Sequence, residues 1–337
     1  MNSQLTPSAD PRRSYEQWPL ERAVTSRTIG AALLLFVLVG WSAHNIKLDA
    51  AAWETGRAVV ALTGLTDSRV LDGASDFLKD SFPFAVASRI ATDRLTELDR
   101  DNPPLFTHLE TLEKRRYDAL SETYTTVQVE YLVHPFGYLL KVLIKMWETI
   151  EIGFWGTLLS VLISLPLGVF ASRNYSLNTV TYGIARLWLG FHRAMPELII
   201  ALFFVLMYGF GPVAGVLALA MHTSGVLGKF MADEIENAAI GPQMALRSSG
   251  ANRVKVLRFA VLPAVLPAFA SFVQYIFERN IRTATVLGLV GAGGIGMELK
   301  GRWDLFEYSH VSTILLVIFI TVMLLEYFSQ KLRGKAL

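Results

Sequence analysis

Apolar runs alternate along this chain with short charged segments, and their spacing sets the architecture. Residues 28–46 contain no charged side chain. At about 1.5 Å of rise per residue, such a run makes a helix of about 28 Å, the thickness of a hydrocarbon core. Residues 152–172, 259–277 and 308–325 are likewise free of charge. The uncharged stretch 198–228 is interrupted at Gly209-Phe210-Gly211-Pro212, so it divides into a span ending near Phe210 and another over 213–229. Residues 179–192 carry Arg186 and are expected to form a lead-in helix. The pattern predicts six transmembrane helices.

Parity then orients them. Residues 234–258 hold Arg247, Arg253, Lys255 and Arg258 in a short loop between spans, and the positive-inside bias puts such a loop in the cytoplasm. With six spans, the polar tail 1–27 and the basic C-terminus 331–337 fall on that same side. The domain plan is a cytoplasmic tail over 1–27, a first span over 28–47, an extracytoplasmic insert over 48–148, and a core over 149–330 with a loop near 231–258. The insert is long and mixed in charge, with no run able to span, and is expected to form amphipathic helices at the outer face. Residues 283–297, uncharged and dense in glycine, are expected to be a loop or partly re-entrant element on the outer side.

Composition agrees with this picture. Of 337 residues, 52% are hydrophobic and only 18% charged, with a mean hydropathy of +0.39, too apolar for an ordinary soluble domain. The net charge of +2 gives no footprint for nucleic acid, and the absence of cysteine removes disulfides, thiolate metal sites and a cysteine nucleophile. The six histidines show no metal-ligand spacing, and no catalytic constellation is visible. Gly291-Ala292-Gly293-Gly294-Ile295-Gly296 matches the dinucleotide fingerprint letter for letter, but it lies between spans without a βαβ unit. Gly228-Lys229 lacks the first glycine and the Ser/Thr of a phosphate loop. The chain therefore has no nucleotide site of its own. What remains is charge at membrane depth: Arg193 and Glu197 at the head of the third span, and Glu278, Arg279, Asn280 and Arg282 in the outer part of the fifth. Ionisable groups there face a polar pathway or each other; Glu278 and Arg282, four apart on a helix, are also placed to pair.

Two stretches carry a resemblance. In residues 234–267, Met244, Ala245 and Leu246 precede Gly250 and Ala251, and Leu262-Pro263 follows, a pattern similar to the EAA loop of ABC importer permeases. Met244 stands where that family usually has Glu, and Ala260 where it often has a larger aliphatic residue. Residues 277–296, FERNIRTATVLGLVGAGGIG, together with Arg193-Ala194-Met195-Pro196-Glu197 and residues 209–222, resemble the permease of phosphonate and phosphite importers.

The resemblance implies an all-α integral membrane protein with the type I ABC importer permease fold and an external helical insert after the first span. It implies a transporter subunit rather than an enzyme, in the inner membrane of a prokaryote. Its partners would be a second permease copy, two ABC ATPase subunits holding ATP and Mg, and an extracytoplasmic phosphonate-binding protein. Coupling to the ATPase falls to Met244, Ala245, Leu246, Gly250, Ala251, Leu262 and Pro263, the substrate pathway to Arg193, Glu197, Glu278, Asn280 and Arg282, and gating or packing to Gly291, Gly293, Gly294 and Gly296. The rival reading is a secondary transporter of a small anion, which calls for inverted repeats and acidic ion sites at midplane; neither is apparent. A membrane-embedded enzyme would need a catalytic cluster.

Overall fold

The computed structural model describes residues 26–63, 67–92, 106–118 and 123–336; all but the end of the 1–27 tail lies outside them. The chain divides into two compact units, 1–76 and 77–337. In the first, α1 (Ser26–Asn45) and α2 (Leu48–Ala61) are bent by 69° at Ile46-Lys47, where Lys47 takes a left-handed φ of 56°. The described part of this unit also holds the start of α3 (Arg69–Ser81).

The insert is helical as expected in α2 and α3, but past α3 it departs from that expectation. β1 (Ser88–Ala91), β2 (His108–Asp118) and β3 (Thr123–His134) form an antiparallel sheet in the order β1-β3-β2. The register places His108 opposite Val133 and Tyr117 opposite Tyr124. The cause is legible in β3, where Val127, Val129, Tyr131 and Val133 alternate with Gln128, Glu130 and Leu132: period two with β-branched and aromatic residues is strand chemistry. Backbone bonds fix the segment before β1 to the helices. Tyr138 N and Leu139 N both donate to Val86 O, and Ala85 N donates to Ser309 O.

The helices are α4 (Gly137–Phe170), α5 (Thr179–Ala194), α6 (Glu197–Tyr208), α7 (Pro212–Asn237), α8 (Ile240–Ser248), α9 (Arg253–Val256), α10 (Leu262–Gly288), α11 (Gly294–Asp304) and α12 (Tyr308–Ala336). Four helical stretches are long and apolar enough to cross a membrane, and six spans result when the bent pairs α1–α2 and α5–α6 each count as one. The second span begins earlier than its charge-free run, because Lys141, Lys145 and Glu148 are accommodated as ion pairs on the extended first turns of α4. The fifth continues well beyond 277: residues 283–288 belong to α10, and the loop is confined to the few residues before α11.

Small residues let the central helices touch. A Cβ on Gly156 would stand 2.7 Å from Leu219 Cβ, and one on Gly168 2.8 Å from Met231 Cβ, so α4 and α7 run parallel in close contact. α10 runs the other way: Gly153 meets Ile281, whereas Val161 and Leu165 join the cluster of Val265 and Phe269. α12 is antiparallel to α10, with Gln274 Nε2 donating to Ser329 O while Ile281 clusters with Ile314 and Val317. The C-terminal ends of α4, α7 and α12 thus share one end of the bundle with α8, α9 and the start of α10. The sheet and α11 occupy the opposite end. A π turn, Leu257–Val261, precedes α10; it absorbs the register change required by Pro263, which has no N–H to return to the Phe259 carbonyl.

Candidate coupling and translocation sites

α8 is held in a fixed pose beneath the bundle by one buried amide. Tyr175 Oη donates to Gln243 Oε1 at 2.8 Å, and Gln243 Nε2 donates to the Ala238 and Ala239 carbonyls at 3.0 and 3.1 Å. The helix then stops in a defined way. Gly250 N donates to Arg247 O at 2.9 Å and Ala251 N to Leu246 O at 3.0 Å, with Gly250 at φ 80°. This is a Schellman cap, whose left-handed residue favours glycine. Asn252 restarts the chain, its side chain accepting from Lys255 N at 2.9 Å at the head of α9.

Met244, Ala245, Leu246, Gly250 and Ala251 therefore lie together on α8 and its cap. Leu262 packs into the bundle core, and Pro263 is exposed at the start of α10. Ile240, Met244 and Val254 are exposed by 60–70% beside Arg247, Arg253 and Lys255. Between them and the α4–α5 turn opens a cleft of about 560 Å³ lined by Asn174, Glu236, Met244, Arg247 and Arg253. Arg186 braces the same end. Its Nε donates to Ala171 O at 2.7 Å and its Nη2 to Glu236 Oε1 at 2.8 Å, and Arg173 N donates to that same oxygen at 2.8 Å. In the sequence Arg186 merely interrupts an apolar run; in the fold it ties α5 to the ends of α4 and α7.

Midway along the bundle is a polar layer. Asn280 is buried, its Nδ2 donating to Thr157 Oγ1 at 2.9 Å and its Oδ1 accepting from Thr223 Oγ1 at 3.1 Å. One amide thus joins α4, α7 and α10. Beside it, Glu197 Oε2 lies 3.3 Å from His222 Nε2, and Glu197 Oε1 lies 3.6 Å from Arg279 Nη2. His222 Nδ1 is 3.0 Å from the Met195 carbonyl. These contacts gather at the break between α5 and α6, whose axes turn by 91°. Glu197 opens α6, where the helix dipole favours a carboxylate. Arg193 is exposed just before the break.

Arg282 Nη2 is bonded to Glu278 Oε1 at 2.8 Å, with the Glu278 side chain 9% exposed. The structure thus brings Glu197 together with Arg279 and His222, ties Asn280 to two threonines, and pairs Glu278 with Arg282. The histidine was overlooked because a lone His in an apolar run carries no spacing signal; only the fold turns it toward Glu197.

The four glycines lie opposite the coupling end. Gly291, Gly293 and Gly294 have φ of 95°, 83° and 71°. A Cβ on Gly293 would stand 2.7 Å from Pro212 N, and one on Gly291 would run into the Phe210 ring, so this loop and the start of α7 lie against each other. Gly294 N and Ile295 N donate to Glu148 Oε1 and Thr149 Oγ1, capping α11 with side chains of α4. Gly296 leaves no room for a side chain beside the Thr285 carbonyl. Among the described residues no group of three His, Asp or Glu side chains is placed to hold a metal.

Residues 164–334 match the family of binding-protein-dependent transport system inner membrane components. The chain belongs to this family. A protein of Stutzerimonas stutzeri, provisionally assigned as the phosphite transport system permease HtxE, is 46% identical over 258 residues, covering 75% of this chain and 99% of its own length. The phosphite transport system permease PtxC of the same organism is 44% identical over 186 residues, 55% of this chain and 68% of PtxC. The phosphate-import permease PhnE of Mycolicibacterium smegmatis is 40% identical over 188 residues, 56% of this chain and 35% of that protein. Among solved structures, a chain of the inward-facing MetNI methionine ABC transporter superposes with a TM-score of 0.51 at 20% identity, covering 58% of this chain and 96% of that one; this shows the shared fold.

The chain is accordingly a multi-pass inner-membrane permease subunit of an ABC importer, not an enzyme, and works with ATPase and binding-protein partners. The cap at Gly250 thus fixes a short helix at one end of the bundle, and the charged break between α5 and α6 lies at mid-bundle.

Proposed function

We propose that this permease imports a phosphorus oxyanion: phosphite, a phosphonate or phosphate. The 46% identity to a protein provisionally assigned as a phosphite permease, along nearly the whole of that protein's length, carries the proposal. The cations at mid-depth support it, since arginine presents a planar fork of donors suited to oxyanions and a fixed positive charge counts for more in a low-dielectric setting than in water. In this account two copies of the chain pair in the membrane, two ATPase subunits bind ATP and Mg, and an extracytoplasmic protein delivers the anion. The α8–α9 end and both termini face the cytoplasm, and the sheet faces outward. ATP-driven closure of the ATPases moves α8, and the helices rock between outward- and inward-open states. The ATPase must favour one of these states, because a partner of equal affinity for both shifts neither.

The test is ATP hydrolysis by the purified permease–ATPase complex. It should rise when the binding protein is added with phosphite, methylphosphonate or phosphate, and stay at its basal level with methionine. Stimulation by methionine and none of the phosphorus compounds would refute the substrate class.

A further inference from the structure

Glu197, His222 and Arg279 belong to three helices, α6, α7 and α10, and meet where the bent span breaks. Each carboxylate oxygen of Glu197 faces one basic group, His222 Nε2 at 3.3 Å and Arg279 Nη2 at 3.6 Å. The Met195 carbonyl beside His222 Nδ1 only accepts, so that nitrogen carries a hydrogen. The remaining nitrogen, Nε2, faces the Glu197 carboxylate. The carboxylate spans the two bases as an oxyanion with two free oxygens would. The site is also reachable, for the side chains of Glu197 and Arg279 are 29% and 35% exposed. Arg193, exposed two residues before Met195, adds a further cation near the break.

We propose that Glu197 is a built-in stand-in for the transported anion. This inference rests on the phosphorus-oxyanion reading given above. In the empty permease the Glu197 carboxylate offsets the charge of Arg279, which would otherwise be costly at membrane depth, and it also fills the space beside His222. An arriving oxyanion takes the same place between the two basic groups and displaces it. The exchange has a mechanical consequence. Glu197 is the first residue of α6 and its pairing with Arg279 latches α6 to α10, whereas His222 holds the end of α5 through the Met195 carbonyl. Substitution of a mobile anion for the tethered carboxylate releases the first turn of α6 from α10 while the rest of α6 stays packed on α7, so that movement is confined to the existing break.

The test is calorimetric titration of the detergent-purified permease–ATPase complex with phosphite alone, without binding protein. Glu197→Gln removes the competing carboxylate and should bind phosphite at least tenfold more tightly than the wild type. Combining Glu197→Gln with Arg279→Gln should abolish that gain. No gain in Glu197→Gln, or a gain that survives in the double variant, overturns the proposal. Should Glu197→Gln not assemble, uptake by Arg279 variants in proteoliposomes decides: Arg279→Gln should lose at least tenfold, with partial recovery in Arg279→Lys, and unchanged uptake in Arg279→Gln overturns the role. Phosphite uptake by the wild type is the separate check. Its absence refutes the phosphorus-oxyanion reading, whereas normal wild-type uptake with an unaltered Glu197→Gln titration refutes only the stand-in.

Discussion

At Gly250 the constraint is the backbone rather than the surroundings: a Cβ there would meet nothing within 4 Å, but φ is 80°. A β-branched residue would have to adopt a left-handed conformation costing about 1–2 kcal/mol, or abandon the cap and re-aim α8. Gly250→Val should therefore sharply reduce transport at normal protein level, and Gly250→Asn, which tolerates that conformation, should retain more of it. Uptake relative to the amount of inserted protein checks this. Asn280, expected from sequence in the substrate pathway, is hydrogen-bonded on both sides of its amide. It is the amide that joins three helices, and Asn280→Ala leaves the Thr223 hydroxyl without its acceptor, at a cost of about 1–3 kcal/mol. The purified variant should melt at a lower temperature. Arg282 pairs with a buried carboxylate, so Arg282→Ala should destabilise the protein, and Glu278→Gln with Arg282→Gln should recover stability. If the double variant melts as low as Arg282→Ala, the pairing is not what holds that turn.

Among the elements, the long helices were legible because charge-free runs of membrane length leave the chain few alternatives. The interruption at Arg193–Glu197 was legible too, from Pro196 and the flanking charges, although the pattern places it between a lead-in helix and the third span rather than as a bend within one span. The sheet was not, although β3 alternates cleanly, because β2 is so rich in charge that it reads as solvated helix or loop. Its partners across the register, not its own hydrophobicity, make it a strand. The glycine-dense stretch 283–297 misled for a related reason: Gly288 ends a helix instead of preventing one, and is itself packed against Gly293 and Gly296. The coupling residues on α8 were found from a family pattern, whereas Gln243, which poses that helix, and Arg186, which braces its end, gave no signal until the fold joined distant segments. Arg186→Ala should leave Glu236 without its guanidinium partner, bonded only to the Arg173 amide among the described residues, and loosen the ends of α4 and α7. The expected outcome is loss of ATPase stimulation by the binding protein, with the complex still copurifying.

At the scale of the whole molecule, the six-span reading places α8, α9 and the C-terminal end of α12 at one end of the bundle and the sheet at the other. The chain contains no cysteine, so single cysteines report sidedness cleanly. Ser248→Cys, exposed on α8, should react with an impermeant thiol reagent only after the cells are opened, and Thr126→Cys, exposed on β3, should react in intact cells. Reversal of this pattern would invert the orientation. The central claim, that this permease moves a phosphorus oxyanion by coupling to a partner's ATP hydrolysis, is tested most directly by phosphite uptake into proteoliposomes holding the chain with its ATPase. Phosphite should accumulate only when the ATPase sites are supplied with ATP and Mg and the binding protein is present on the opposite face. Accumulation without ATP, or full ATP-driven transport of another solute with phosphite, phosphonates and phosphate all left behind, would contradict it.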